Sequence, residues 1–247
     1  MKKTSTFIFI LIFILIFTLF IQYSYAKELI IVFGDYDSKP YTFLTNQTLS
    51  GGIIKDIMDE IGVELDIKIK YVNIPSKRVS NFLLEGKVHV RLITNPKWFK
   101  NHKQFHWSTA LFHDKDKIVI RKKDSVLINT IRDLKEKRLG TIRGYKYQIL
   151  KDNNIIRDDV RTLQSNFKRL DRGIIDALIH SDILINYYIK RNQAHTKYIV
   201  LEEIASSHSI HAMYSKENLP ISSEKIDAAF IKLKGNGIIQ KILDKYK

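Results

Sequence analysis

FHWSTALFHDKDKIVIRKK, Phe105 to Lys123, carries an aromatic, polar segment into a short apolar strand with charge on both sides. Alone it fits a basic nucleic-acid patch, a substrate-facing loop or a crossing between two lobes. The order of elements on either side decides between these.

Upstream, Leu29 to Phe33 is an all-apolar run ending at Gly34-Asp35, the pattern of a buried strand leading into a turn. Tyr36, Pro40 and Tyr41 follow on what reads as a loop beyond the strand end. Aromatic groups there suit a ligand pocket, or Tyr41 and Phe43 open a second strand. Ser50-Gly51-Gly52 opens a helix with Ile53, Ile54, Ile57, Met58 and Ile61 at helical spacing, closed by Gly62. The alternation of Val63, Leu65, Ile67 and Ile69 predicts a strand from Val63 to Val72. Ser76 is expected to cap a helix from Lys77 to Glu85 that stops at Gly86. Arg78 in its first turn opposes the helix dipole, so it is either kept for an anionic group or is a plain surface arginine. Val88 to Ile93 predicts a strand leading into the turn Thr94-Asn95-Pro96-Lys97-Trp98, and Lys117 to Arg121 the next strand. Strand, helix, strand, helix, strand is a parallel α/β half.

Downstream the style repeats. Thr130 to Lys137 predicts a helix, Arg138 to Ile142 a strand, and Arg143-Gly144-Tyr145 a turn opening a helix through Leu150. Val160 to Leu163 predicts a strand, and Ser165 caps a helix to Arg172-Gly173. Ile175 to Ile179 predicts a further strand, with Ser181 or Asp182 capping a helix through Arg191. Tyr198 to Leu201 and Ser209 to Tyr214 read as two separate strands, before helices from Ser222 to Lys234 and Asn236 to Tyr246.

The first residues set the compartment. Lys2 and Lys3 precede an apolar run from Phe7 to Ile21 and then Ser24-Tyr25-Ala26, the pattern of a secretory signal cleaved after Ala26. A chain with no cysteine, once exported, has neither a disulfide framework nor a lipidated cysteine at the cleavage site. The remaining residues suffice for two lobes with real cores. The net charge of +15 is spread among apolar positions without forming a block, which reads as a solvated basic surface, and export argues against nucleic acid.

Taken together, these residues resemble the family 3 bacterial extracellular solute-binding proteins, periplasmic receptors that mostly serve ABC importers of amino acids. The likeness rests on Lys39-Pro40-Tyr41-Thr42-Phe43, Gly52 and Asp56, Pro75-x-x-Arg78, Leu84-x-Gly86-Lys87-Val88 and Asn95-Pro96-Lys97-Trp98. It continues through Phe105-x-Trp107-Ser108, Asp133-Leu134, Leu139 to Tyr145, Asp176-Ala177 and Gly237-x-x-x-Lys241-Ile242-Leu243-x-x-Tyr246. The resemblance implies an α/β, two-lobed periplasmic-binding-protein fold (type II) with two crossing hinge strands and the ligand cleft between the lobes. On that pattern residues 1–26 are the signal, 27–116 plus 212–247 are lobe 1, and 117–211 are lobe 2.

Carried over position by position, the resemblance implies ligand contacts from Asp35, Tyr36, Tyr41, Arg78, Thr94, Asn95 and Trp98 in lobe 1, with Trp107 facing the ligand or packing beneath it. Lobe 2 offers Thr141, Arg143, Gly144, Tyr145, His180, Ser181 and Asp182, with Gly144 to Tyr147 presenting N–H groups at a helix start. The sequence departs from the family where an arginine commonly holds the ligand carboxylate; this turn has only Lys97 and Lys100, point charges that cannot make the forked contact. It departs again at His180-Ser181, where an aspartate often meets the α-amino group, and at His89, another usual aspartate.

The expected function is that of a non-enzymatic, monomeric receptor for a small polar solute, an amino acid or related small carboxylate, delivered to an ABC transporter permease, with no cofactor. A membrane-tethered sensing module would retain Phe7 to Ile21. An exported enzyme is the weaker reading, since HExxH and GxSxG are absent. His102, His106 and His113 lie close in sequence without a cysteine partner and read as solvated histidines. N-terminal sequencing of the exported protein is expected to begin at Lys27; a chain still starting at Met1 would favour the tethered module.

Overall fold

A computed structural model describes residues 28–34, 38–147, 149–152 and 154–247. The signal segment, Asp35 and Tyr36 lie outside the described residues. Strand β1 (Glu28–Phe33) is the buried apolar run, followed by the hairpin β2 (Phe43–Thr45) and β3 (Thr48–Gly51). Helix α1 (Ile53–Leu65) buries Ile53, Ile54, Ile57, Met58 and Ile61 on one face. It has no side-chain N-cap; instead the carbonyls of Pro40 and Tyr41 accept from Ile53 N at 2.9 Å and Ile54 N at 3.1 Å. Gly52 makes this possible: its φ is 106°, and a Cβ there would lie 2.6 Å from the Tyr41 carbonyl oxygen.

Helix α1 runs through Gly62 instead of stopping there. A Cβ at Gly62 would meet Ile69 Cγ1 at 2.7 Å, so this glycine serves the close approach of β4 (Lys68–Asn73) to the helix. Asp66, in the left-handed conformation, ends the helix, with Ile67 N–H reaching back to Gly62 O at 3.0 Å. Val63, expected in a strand, is 79% exposed on the helix. Helix α2 (Ser76–Leu84) follows Pro75, and β5 (Val90–Thr94) leads into a 3-10 turn at Pro96–Trp98. His89 Nδ1 accepts from Ile30 N at 3.0 Å, so at this usual aspartate position the imidazole is the acceptor. Strand β6 (His106–Trp107) is short, and β7 (Phe112–Arg121) is longer than the sequence suggested.

Thr130 and Asp133 form a capping box around a single 3-10 turn, Ile131–Leu134, in place of the expected helix. Strand β8 (Arg138–Ile142) leads to a loop and a four-residue helix α3 (Ile149–Asp152), so Gly144 to Tyr147 is not a helix start. Strand β9 (Ile156–Val160) precedes α4 (Leu163–Asp171), capped by Thr162 and not Ser165. Strand β10 (Ala177–Ser181) and α5 (Asp182–Arg191) follow. Tyr198–Tyr214 is one strand, β11, broken only by bulges, and the chain closes with α6 (Ser223–Gly235) and α7 (Ile238–Lys245). Asp56 ties α7 to α1 through Lys245 at 2.8 Å and the Tyr246 hydroxyl at 2.9 Å.

The strands order as β4-β1-β5-β11-β7-β10-β8-β9. Parallel pairing within β4-β1-β5 and within β10-β8-β9 gives each lobe its α/β sheet. Antiparallel β7 and β11 run between them, from Tyr198 opposite Arg121 to Ile210 opposite Phe112. The crossing stretch is therefore Phe112 to Asp116 against Ser206 to Ile210. Of Lys117 to Arg121, read from sequence as the next strand and the start of lobe 2, Lys117 to Ile120 pair with β10 inside the second sheet. Its charged approach, Asp114-Lys115-Asp116, hid the true start, because a strand between two lobes has no core above it to impose apolar alternation.

Replacing Gly52 by alanine forces a left-handed backbone on a residue with a Cβ and drives that Cβ into the Tyr41 carbonyl, for an expected loss of about 2–4 kcal/mol. Gly235→Ala, where nothing lies within 4 Å, is the control and is expected to change stability by under about 1 kcal/mol. Urea unfolding of both variants checks the pair.

Candidate functional site

The carboxyl ends of β1 and β5 face those of β8 and β10, the place where open α/β sheets present ligand sites. A cleft of about 840 Å³ lies there. Its walls are Asn95, Lys97 and Trp98 from one lobe, Lys146, Tyr147, Leu150 and Arg157 from the other, and Ser206 to Ser209 with His211 along the crossing ribbon.

Two polar clusters sit on the ribbon. Asp114 is buried and accepts the Tyr41 hydroxyl at 2.8 Å and the Lys115 N–H at 2.8 Å. Ser181, from the end of β10, lies beside both Tyr41 and Asp114. Burial pushes the Asp114 carboxyl up, against the nearby Ser181 hydroxyl and the hydrogen bonds from Tyr41 and the Lys115 N–H, which pull it down. Tyr41 of one lobe thus bonds a ribbon carboxylate that Ser181 of the other stands beside, its own hydroxyl unpaired. One register step along, Asp116 accepts from Ser206 Oγ at 2.5 Å and pairs with His208 Nε2 at 3.0 Å. That hydrogen bond, against desolvation, raises the His208 pKa. His208 also feels Asp114 and Lys97, and the Trp98 ring meets it edge-on at 5.8 Å.

Tyr145 stacks near Tyr147 at 6.2 Å and tilts against His180 at 5.8 Å. His180 is buried, its Nδ1 accepting from Ser181 N at 2.7 Å, and desolvation pushes its pKa down to about 4. Arg91, on β5, lies over the Phe99 ring at 5.6 Å and within electrostatic reach of Tyr145. Thr94 Oγ1 is buried without a hydrogen-bond partner.

Of the residues singled out in the sequence, Asn95 and Trp98 line the cleft, Tyr41 and Ser181 stand at Asp114 on the ribbon, and Tyr145 tilts against His180. Asn95 is used structurally: its Nδ2 donates to Ser209 O at 2.7 Å and its Oδ1 accepts from Lys97 N, which holds the Lys97–Trp98 turn against the ribbon. Thr141 is buried and donates to Asp159 Oδ1 at 2.7 Å. Arg143 and Gly144 are exposed, Gly144 with φ of 87°. Asp182 sits in the first turn of α5, bonded by Asn186 Nδ2. Arg78 is exposed beside Phe82. Trp107 packs against Phe99 and Phe105 and donates to His102 O at 2.9 Å, in the apolar layer of its own lobe. Among the described residues no three metal-ligating groups converge. Asp114, Asp116, His208, Lys146 and Arg157 were not anticipated. Asp-x-Asp opposite Ser-x-His is a period-2 signal, legible only once both segments are read as strands.

No curated protein sequence matches the chain. The sequence model for "Bacterial extracellular solute-binding proteins, family 3" matches residues 30–247. An ancestral arginine-binding protein bound to arginine superposes with a TM-score of 0.71 at 21% identity, covering 89% of this chain and 98% of its own. The GluR0 ligand-binding core, complexed with L-glutamate, gives a TM-score of 0.74 at 15% identity, covering 91% of this chain and 99% of its own. An ancestral amino acid-binding protein, a precursor of cyclohexadienyl dehydratase, gives 0.71 at 18%, covering 89% and 95%. At these identities the likeness is one of fold: two lobes, two crossing strands and a cleft between.

The histidines give a pH signature. His208 binds its proton more tightly folded than unfolded, so its contribution is full below the ordinary pKa and fades as pH rises through the raised value. His180 does the reverse: stability falls as pH drops from about 6.5 toward the folded value of about 4. NMR titration is expected to place His208 above, and His180 well below, the ordinary histidine value. His208→Asn is expected to remove the loss on the alkaline side, a few tenths to about 1 kcal/mol.

Proposed function

The chain belongs to family 3 of the bacterial extracellular solute-binding proteins, and from that membership we propose that it captures a small polar solute, an amino acid or related small carboxylate, between its lobes and delivers it to an ABC importer permease. The lobes are taken as residues 27–116 with 212–247, and 117–211. The protein works in the periplasm as a monomer after cleavage at Ala26, without a cofactor and without chemical conversion of the solute.

The observation that carries this reading is the meeting of Tyr41, Asp114 and Ser181. The Tyr41 hydroxyl of one lobe bonds a buried carboxylate of the ribbon and Ser181 of the other lobe stands beside both, next to a cleft walled by both lobes. Such a cluster is complete only when the lobes are together. Phe43, edge-on to Tyr187 of α5 at 5.9 Å, adds an apolar contact between the lobes at the same place. A solute that touches both walls stabilises the closed arrangement in proportion to its preference for it.

A thermal-shift screen of amino acids and small carboxylates is expected to find a solute that, at 100 times its dissociation constant, adds about 2.7 kcal/mol of stability. Small-angle scattering is expected to show compaction with the same solute. Tyr41→Phe leaves Asp114 one donor short and is expected to weaken binding by about ten-fold. If no small polar solute raises the melting temperature or compacts the protein, the receptor reading fails.

A further inference from the structure

Resting on the receptor reading above, we infer that the solute of this cleft carries two anionic groups, gripped from opposite walls by Lys97 and by Lys146 with the Tyr147 hydroxyl. Among the described residues no aspartate or glutamate lines the cleft, whereas Lys97 stands on one wall and Lys146 and Arg157 on the other. Arg157 is already used: Asp159 pairs with it at 2.8 Å, and its Nη2 donates to the carbonyls of Ile142 and Tyr145. It shapes the loop that carries Lys146 and Tyr147. Lys97 and Lys146 are exposed and have no carboxylate partner among the described residues. Bringing the lobes together narrows the gap between them, and two facing ammonium groups repel unless negative charge lies between.

An independent feature points the same way. Tyr147 is only 6% exposed and lines the cleft, yet its hydroxyl has no hydrogen-bond partner; the Ile142 N–H lies near but is not aligned to serve as one. A buried hydroxyl left unpaired in a polar cleft is a donor waiting for an acceptor. Nearby carboxylates are in turn engaged: Asp116 by Ser206 and His208, Asp114 by Tyr41, and Asp159 by Arg157 and Thr141. A solute cation would have to displace one of these partners, while a solute anion meets free donors. Trp98, half-exposed at the rim, covers the body of such a solute.

Calorimetric titration of the full mature protein tests this with glutarate and glycerol 3-phosphate as dianions, butyrate as a single carboxylate, and L-arginine and L-alanine as amino acids with a cation. At least one dianion is expected to bind ten-fold or more tightly than butyrate, more weakly as salt rises. Which dianion wins distinguishes a second carboxylate from a phosphate. Lys97→Gln and Lys146→Gln are each expected to lose about ten-fold for the preferred dianion and so to shrink its margin over butyrate; both side chains are exposed, so melting curves without solute should match the parent. Binding of arginine or alanine in preference to both dianions overturns the dianion inference and leaves the receptor reading standing. Silence from every probe overturns both.

Discussion

Tyr198 against Arg121 and Ile210 against Phe112 are the two ends of one antiparallel ribbon, and the rest of the molecule depends on it. Its outer stretches are strands of the lobes' own sheets, β11 beside β5 in one and β7 beside β10 in the other. The lobes are joined by backbone hydrogen bonds that continue into both cores, and not by a flexible linker. The bulges between Val200 and Ile204 and between Ile204 and Ser206 fall where the ribbon leaves the second lobe. Extra residues there kink and twist the pair locally, which allows bending without loss of the ladder on either side.

Because no core covers the middle of the ribbon, its side chains are free to be polar, and on one face they are. Asp114 stands opposite His208 and Asp116 opposite Ser206. Burying a carboxylate is unfavourable unless donors meet it, and the donors for Asp114 are the Tyr41 hydroxyl and the Lys115 N–H, with Ser181 beside it from the other lobe. Tyr41 in turn cannot move alone: its carbonyl and that of Pro40 cap the first turn of α1, whose far face carries α7 through Asp56, Lys245 and Tyr246. A shift at the ribbon is thereby referred to the whole first lobe.

Where one core faced one element, the sequence was legible. Helices α1, α5 and α6 followed their apolar spacing, and Gly52 and Asp56 marked real constraints. Signals with two physical causes were misread. Gly62 looked like a helix stop because glycine ends helices, but here it admits Ile69 to the helix surface. Thr130 and Asp133 form a true capping box, yet the chain must reverse at once into β8, so one turn is all that forms. Gly144 and the aromatics after it suggested a helix start, whereas the helix begins at Ile149. Most of the cleft's charge was missed because Asp114, Asp116 and His208 lie on stretches without apolar alternation, where sequence alone does not say which residues share a face.

The departures from the family pattern acquire a common logic once the ribbon carboxylates are considered. A carboxylate at the start of α5 would belong to one lobe, and its distance to the other would change with every opening. Here α5 begins at Asp182, bonded by Asn186, and a further carboxylate, Asp114, sits on the ribbon that both lobes share. It is held by the Tyr41 hydroxyl and the Lys115 N–H, with Ser181 of the other lobe beside it. The replacement of a forked arginine by lysines fits the same division. A guanidinium fixes a carboxylate in one geometry, whereas an ammonium on a long stem follows an anion whose position shifts as the walls approach. Asn95 pins the turn that carries Lys97 to the ribbon carbonyl of Ser209. The ribbon thus fixes where charge is held rigidly, at Asp114 and Asp116, and the walls carry the charge that moves.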